Sequence, residues 1–154
     1  MISFLLIGTG FLYALFILFT YHGWKKTKTF SSDTDNFKTK VTVIIPARNE
    51  EKNLPRVLNA LLAQDYPTEK IQIVVVNDRS EDATESLLRR YANEHPHKVE
   101  YLNIETLPSN MSPKKHALLQ GLSISKGEWI AVTDADCIMG PQWLSSLSRE
   151  FTDD

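Results

Sequence analysis

"WIAVTDADCIM", Trp129 to Met139, runs four apolar or small residues into two aspartates one residue apart. Trp, Ile and Val favour strands, so the stretch reads as a buried strand whose carboxyl end is acidic. Three apolar runs upstream have the same character: "VTVIIP" (Val41 to Pro46), "IQIVVVN" (Ile71 to Asn77) and "VEYLNI" (Val99 to Ile104). Helical periods separate them. Leu54, Val57, Leu58, Leu61 and Leu62 share one face, then Leu87, Leu88, Tyr91 and Ala92, then Ala117, Leu118, Leu122 and Ile124, and Trp143, Leu144, Leu147 and Phe151 follow the acids. Near-continuous apolar strands alternating with helices predict an α/β domain of βαβαβαβ order, with a mostly parallel sheet covered on both faces. Such sheets take ligands at the carboxyl ends of their strands. Three polar clusters stand there: "ARNEE" (Ala47 to Glu51), "NDRSED" (Asn77 to Asp82) and "DADC" (Asp134 to Cys137).

The 154 residues carry a formal net charge of −2 and are 42% hydrophobic, enough for a core. Basic and acidic residues nearly balance, and no basic stripe interleaves with aromatics, which excludes a nucleic-acid partner. A single cysteine, Cys137, allows neither an internal disulfide nor a multi-cysteine metal site, and reads as a small packed residue. No pair of histidines has metal-ligand spacing.

"ISFLLIGTGFLYALFILFTY" (Ile2 to Tyr21) is free of charge and long enough, at about 1.5 Å per residue, to span a bilayer's hydrocarbon core. Residues 1–24 therefore read as a transmembrane anchor. Tyr21 and Trp24 suit an interface, and Lys25, Lys26 and Lys28 place the following domain in the cytoplasm with the amino terminus outside. Residues 25–39 read as a polar tether and 40–154 as the domain.

Asp134 and Asp136, alternate residues at a strand end, are expected to aim to one side. Two such carboxylates call for a cation between them. Magnesium suits, held by one or two carboxylates with substrate phosphates completing its shell. Asp78 ends its strand where it can accept a ligand's N–H or hydroxyl, and Ser80 or Asp82 behind it reads as a helix N-cap. Lys114 and Lys115 follow Pro113 in a first helical turn, where the helix dipole disfavours cations, so one of them is expected to have an anionic partner.

"VTVIIPARNEEKNLPRVLNALLAQDYP", "IVVVNDRSEDAT" and "KKHALLQGLSISKGEWIAVTDADC" together resemble the N-terminal half of a family 2 glycosyltransferase of the GT-A fold, from Val41 onward. The resemblance implies a Rossmann-like nucleotide-binding sheet and inverting transfer of a sugar from a nucleotide-diphosphate donor, usually a UDP-sugar, to an acceptor hydroxyl. It implies manganese or magnesium held by Asp136. It also implies that Pro46, Ala47, Asn49 and Glu50 lie against base and ribose, that Asp78 hydrogen-bonds the base, that Lys115 reaches the nucleotide, and that Asp134 lies near ribose and diphosphate. "NDRS" departs from the two acids and glycine common in the family. The general base is expected beyond Asp154, because the sequence covers about half of such a domain, and the piece alone is expected to bind without turning over. A phosphatase of the haloacid-dehalogenase type, with Asp134 as nucleophile, is the alternative enzyme reading, and it leaves "PARNEE" unexplained.

Overall fold

The computed structural model describes residues 2–26 and 39–148. Residues 27–38 of the 25–39 tether, and Phe151 with the terminal acids, lie outside the described residues. The chain divides into two units, Met1–Thr34 and Asp35–Asp154.

Among the described residues the first unit holds one helix, α1 (Ile2–Lys25). Its large apolar side chains, Phe4, Phe11, Phe16 and Phe19 among them, are exposed on every side. It is long and apolar enough to cross a membrane. Lys25 Nζ lies 4.9 Å from the centre of the Tyr21 ring, a cation–π contact at the polar end.

The second unit is built on four strands, β1 (Val41–Ala47), β2 (Ile71–Asp78), β3 (Val99–Ile104) and β4 (Trp129–Val132). They alternate with α2 (Leu54–Leu62), α3 (Thr84–Glu94) and α4 (Pro113–Ser123), and α5 (Trp143–Ser148) follows β4. Every pairing is parallel and the order is β3-β2-β1-β4. The chain steps outward through β1, β2 and β3, then returns across the sheet to add β4 on the far side of β1. That reversal opens a crevice at the carboxyl ends of β1 and β4, where doubly wound sheets take their ligands.

Strand alternation sorts the core. Val43, Ile45, Ile73 and Val75 face α2 and α3, meeting Leu54, Val57, Leu58, Leu61, Leu88 and Tyr91. Ile44, Val74 and Val76 face the other way, with Ile104 and Ala117. α4 lies across β2 and β1 and comes so close that a Cβ on Gly121 would stand 2.6 Å from Ile44 Cγ2. Gly121, not Leu122, is therefore the inward residue at this turn: Leu122 is exposed.

Two polar residues in these apolar strands draw β4 to its place. Thr42 Oγ1 donates to Gln72 Oε1 at 2.7 Å and accepts the Gly127 N–H at 2.9 Å, while Gln72 Oε1 also accepts the Lys126 N–H at 2.7 Å. Buried donors and acceptors without partners are costly, so this set holds the turn before β4 against the ends of β1 and β2. The expectation that all four strands are covered on both faces fails at β4. Ile130 and Val132 are exposed there, because α4 spans β2 and β1 and stops short of the fourth strand.

Candidate functional site

The crevice is lined by Pro46 and Ala47 at the end of β1 and Arg48 after it, Asp78 at the end of β2, Pro113, Lys114 and Ala117 of α4, and Asp134 after β4, with a cavity of about 220 Å³. Pro46, Ala47, Asp78 and Asp134, four of the residues expected from the sequence, thus share one cavity. Ala47 is buried and Pro46 half-buried, which makes an apolar wall.

Asp134 and Asp136 are not carried by the strand. β4 ends at Val132, and the acids sit in a turn closed by the Cys137 N–H donating to Asp134 O at 3.2 Å. What aims them outward is Ala135 between them, buried in the α2 and α3 core. Cys137 is exposed, not packed, with Sγ 3.8 Å from Asp136 Oδ1. Gln64 holds the far side of this turn. Its Nε2 donates to Gly140 O at 2.8 Å and its Oε1 accepts the Leu144 N–H at 2.9 Å. Nothing in the sequence singles out Gln64, since a lone glutamine after a helix is ordinarily solvated.

Lys114 is the cation that finds an anion. Its Nζ donates to Asp134 Oδ1 at 2.7 Å, and that hydrogen bond, reinforced by the charges of Asp134 and Asp136, holds its ammonium above the usual lysine value. Lys115 is exposed and does not line the crevice. The first-turn signal pointed to one of the pair, and the helix phase selects the one facing Asp134.

Asn49 and Glu50 are placed beside the crevice and joined to the next loop. The Asn49 N–H donates to Ser80 Oγ at 2.9 Å, and Asn49 Oδ1 accepts the Glu81 N–H at 2.8 Å. The Glu50 N–H donates to Thr84 Oγ1 at 2.9 Å. The Glu51 N–H donates to Asp82 Oδ2 at 3.1 Å, and Glu51 Oε2 accepts the Ala83 N–H at 3.0 Å. Five bonds thus stitch the loop after β1 to the loop after β2. Ser80 serves this stitching and is no helix cap: α3 begins after Ala83, and Asp82 Oδ1 accepts the Thr84 N–H at 3.0 Å. Asn49 (φ 56°) and Arg79 (φ 54°) take left-handed backbone, tolerable for asparagine and unfavourable for arginine.

Asp78 is buried, and Arg79 Nε donates to its Oδ1 at 2.8 Å. Among the described residues no three of His, Cys, Asp and Glu cluster as a metal cage. The donor set that is present, two exposed carboxylates beside a crevice, suits a hard cation only if a ligand's oxygens complete its shell.

The glycosyl transferase family 2 model matches residues 42–154. The chain belongs to that family. Its fold is GT-A-like. It is 35% identical over 143 residues to a protein of Bacillus subtilis named "Probable glycosyltransferase YdaM", covering 88% of this chain and 33% of that one. A mannosyltransferase from Pyrobaculum calidifontis, solved with GDP-Man and Mn2+, superposes at a TM-score of 0.73 with 29% identity, over 90% of this chain and 40% of that one. TarS of Staphylococcus aureus, solved with UDP-GlcNAc, gives 0.58 and 30% over 71% of this chain and 30% of that one. The family 2 chain thus spans about a third or less of the length of the curated relatives it matches. Family membership displaces the phosphatase reading of Asp134.

Proposed function

We propose that this family 2 chain forms the donor-binding part of an inverting, metal-assisted glycosyltransferase that moves a hexosyl or N-acetylhexosaminyl group from a UDP-sugar to an acceptor hydroxyl. The observation that carries this reading is the convergence of Asp78, Lys114 and Asp134 on one crevice at the strand-order reversal. The nucleotide sugars bound by the mannosyltransferase and by TarS support the donor class.

The residues divide the donor between them. Pro46 and Ala47 wall the base and ribose, and Asp78 accepts an N–H of the base. Asp134 serves the ribose and diphosphate side. Lys114, in place of Lys115, meets the diphosphate, because its ammonium already stands over the acidic turn. Asn49 and Glu50 act from behind, through the stitched loops. Asp136, with Asp134 beside it, would hold manganese or magnesium. The metal would supply Lewis-acid stabilisation of the charge on the departing diphosphate. Of the carboxylates that line the crevice, Asp78 is paired with Arg79 and Asp134 with Lys114, and neither is assigned as the acceptor's base; the reading is that the 154-residue chain alone binds donor without turning it over.

α1 supports a membrane location, and Lys25 and Lys26 at its end support a cytoplasmic domain with the amino terminus outside.

Calorimetric titration of a panel of nucleotide-sugars into the full chain with Mn2+ tests the reading. Asp136→Ala is expected to abolish the manganese-dependent part of binding. Absence of manganese-dependent binding for every nucleotide overturns the site assignment, and sugar transfer by the chain alone overturns the claim that it only binds.

A further inference from the structure

Lys114 and Asp134 both line the crevice, with Lys114 Nζ donating to Asp134 Oδ1 at 2.7 Å, and Asp136 is near enough to act on the same ammonium. Resting on the donor-site reading above, we propose that Lys114 couples the two ligands of the crevice. Its ammonium holds Asp134 against a divalent cation until a diphosphate draws the ammonium away, so that cation and nucleotide bind together and neither fills the site well by itself.

Charge and the number of oxygens set this order. At about 5 Å, the ammonium repels a divalent cation drawn to Asp134 and Asp136 strongly enough, even in water, to cost about tenfold in affinity. The acids alone also hold such a cation poorly. Among the described residues no three of His, Cys, Asp and Glu cluster, so two carboxylates leave most of a hard cation's shell to water. A diphosphate relieves both. Its oxygens accept charge-assisted hydrogen bonds from the ammonium, which frees Asp134 Oδ1, and they supply the oxygens that the acids lack. Linkage makes the effect mutual: nucleotide tightens the cation by the same factor as the cation tightens nucleotide.

The lysine can move while the acids stay. Side-chain exposures of 60% for Lys114 and 53% for Asp134 make the pair weak, so it parts readily. The backbone beneath Lys114 is fixed, because Ala117 packs with Ile44, Val74 and Val76 and Gly121 lies hard against Ile44. The acidic turn is fixed from its own side by Ala135 in the core and by the two hydrogen bonds of Gln64. What remains free to shift is the flexible four-carbon stem of Lys114. Lys115 is exposed, makes no ion pair among the described residues and does not line the crevice, so it does not take over the role.

The test measures cation and nucleotide separately and together on the full chain in detergent micelles. Mn2+ is followed by loss of the paramagnetic resonance of the free ion, and UDP and GDP by calorimetry, with the Mn2+–nucleotide complex measured without protein and subtracted. In the unaltered chain, Mn2+ is expected to bind at least about tenfold more tightly with nucleotide than without it. Lys114→Ala is expected to bind Mn2+ alone about tenfold more tightly, to bind nucleotide alone about tenfold more weakly, and to lose about tenfold of the coupling. A merely structural role would not move the two ligands in opposite directions. Lys114→Arg keeps a charged donor and is expected to keep most of the coupling. Mn2+ taken up alone equally by the unaltered and Lys114→Ala chains, or by neither, overturns this inference, as does the same coupling in both; nucleotide binding in those cases leaves the donor site standing. Binding of neither UDP nor GDP by the unaltered chain overturns both.

Discussion

Lys114 Nζ stands 2.7 Å from Asp134 Oδ1, tying the first turn of α4 to the acidic turn after β4. Both side chains are more than half exposed, so the pair adds little to stability. Its consequence is for binding: an ammonium is fixed beside two carboxylates where a diphosphate and its cation would lie. Lys114→Ala is expected to weaken nucleotide-diphosphate binding about tenfold, with the melting temperature unchanged. Lys115→Ala is expected to change binding less than about twofold. Calorimetry on the two variants side by side distinguishes them, and the reverse order would return the role to Lys115.

The stitched loops predict a stability effect at a residue that the family resemblance places against the nucleotide. Asn49→Ala gives up an exposed bond to the Glu81 N–H, worth about 0.5–1.5 kcal/mol, and sets alanine in left-handed backbone, at about 1–2 kcal/mol, so stability is expected to fall. Asn49→Gly relieves the backbone and should recover part of it. Thermal melts of both variants measure this, and wild-type melting of Asn49→Ala would mean that the bond is absent in solution.

The same loops carry a pH signature through Asp82. Burial works to raise its carboxyl, but hydrogen bonds from the Thr84 side chain and from the Thr84 and Glu51 N–H groups outweigh it and hold the group below the ordinary 3.8. A carboxyl lower in the folded state than in the unfolded one stabilises above its unfolded value, and that contribution is lost as pH falls through the folded value. Stability is therefore expected to drop in acid below about pH 4, and Asp82→Asn should flatten that limb. Melting temperatures from about pH 6 to 2.5 follow the change.

Gly121 predicts a packing defect. A Cβ there would meet Ile44 Cγ2 at 2.6 Å and Val76 Cγ2 at 3.2 Å, both on buried strands. Gly121→Val is expected to cost about 1–3 kcal/mol by overpacking, and Ile44→Ala, which removes Cγ2, should cost less beside it than alone. Denaturant unfolding reads both, and additive losses would show that the two positions do not touch.

Gln64 connects stability to the acidic turn. Gln64→Leu removes the acceptor for the Leu144 N–H and the donor to Gly140 O, at an expected cost of about 1–3 kcal/mol. Manganese-dependent nucleotide binding should weaken with it, because the turn bearing Asp136 is fastened on that side. A variant that melts early yet binds normally would confine Gln64 to stability.

The α/β order, the four strands and the acidic strand ends were legible because they are local: β-branched runs and helical periods are written in residues a few places apart. The family motifs were legible for the same reason. Strand order was not, since β1 pairs with β4 through residues more than eighty places distant, by way of Thr42 and Gly127. Nor was the choice of Lys114 over Lys115, which depends on which side of α4 faces the turn after β4. The outward aim of Asp134 and Asp136 comes from Ala135 entering a core that only the folded chain makes. Sequence alone determined which residues offer charge, donors and acceptors at the strand ends, because residue type sets them. Tertiary structure decided which of them meet, because hydrogen bonds and ion pairs act over a few ångströms, and only packing brings distant segments within that reach.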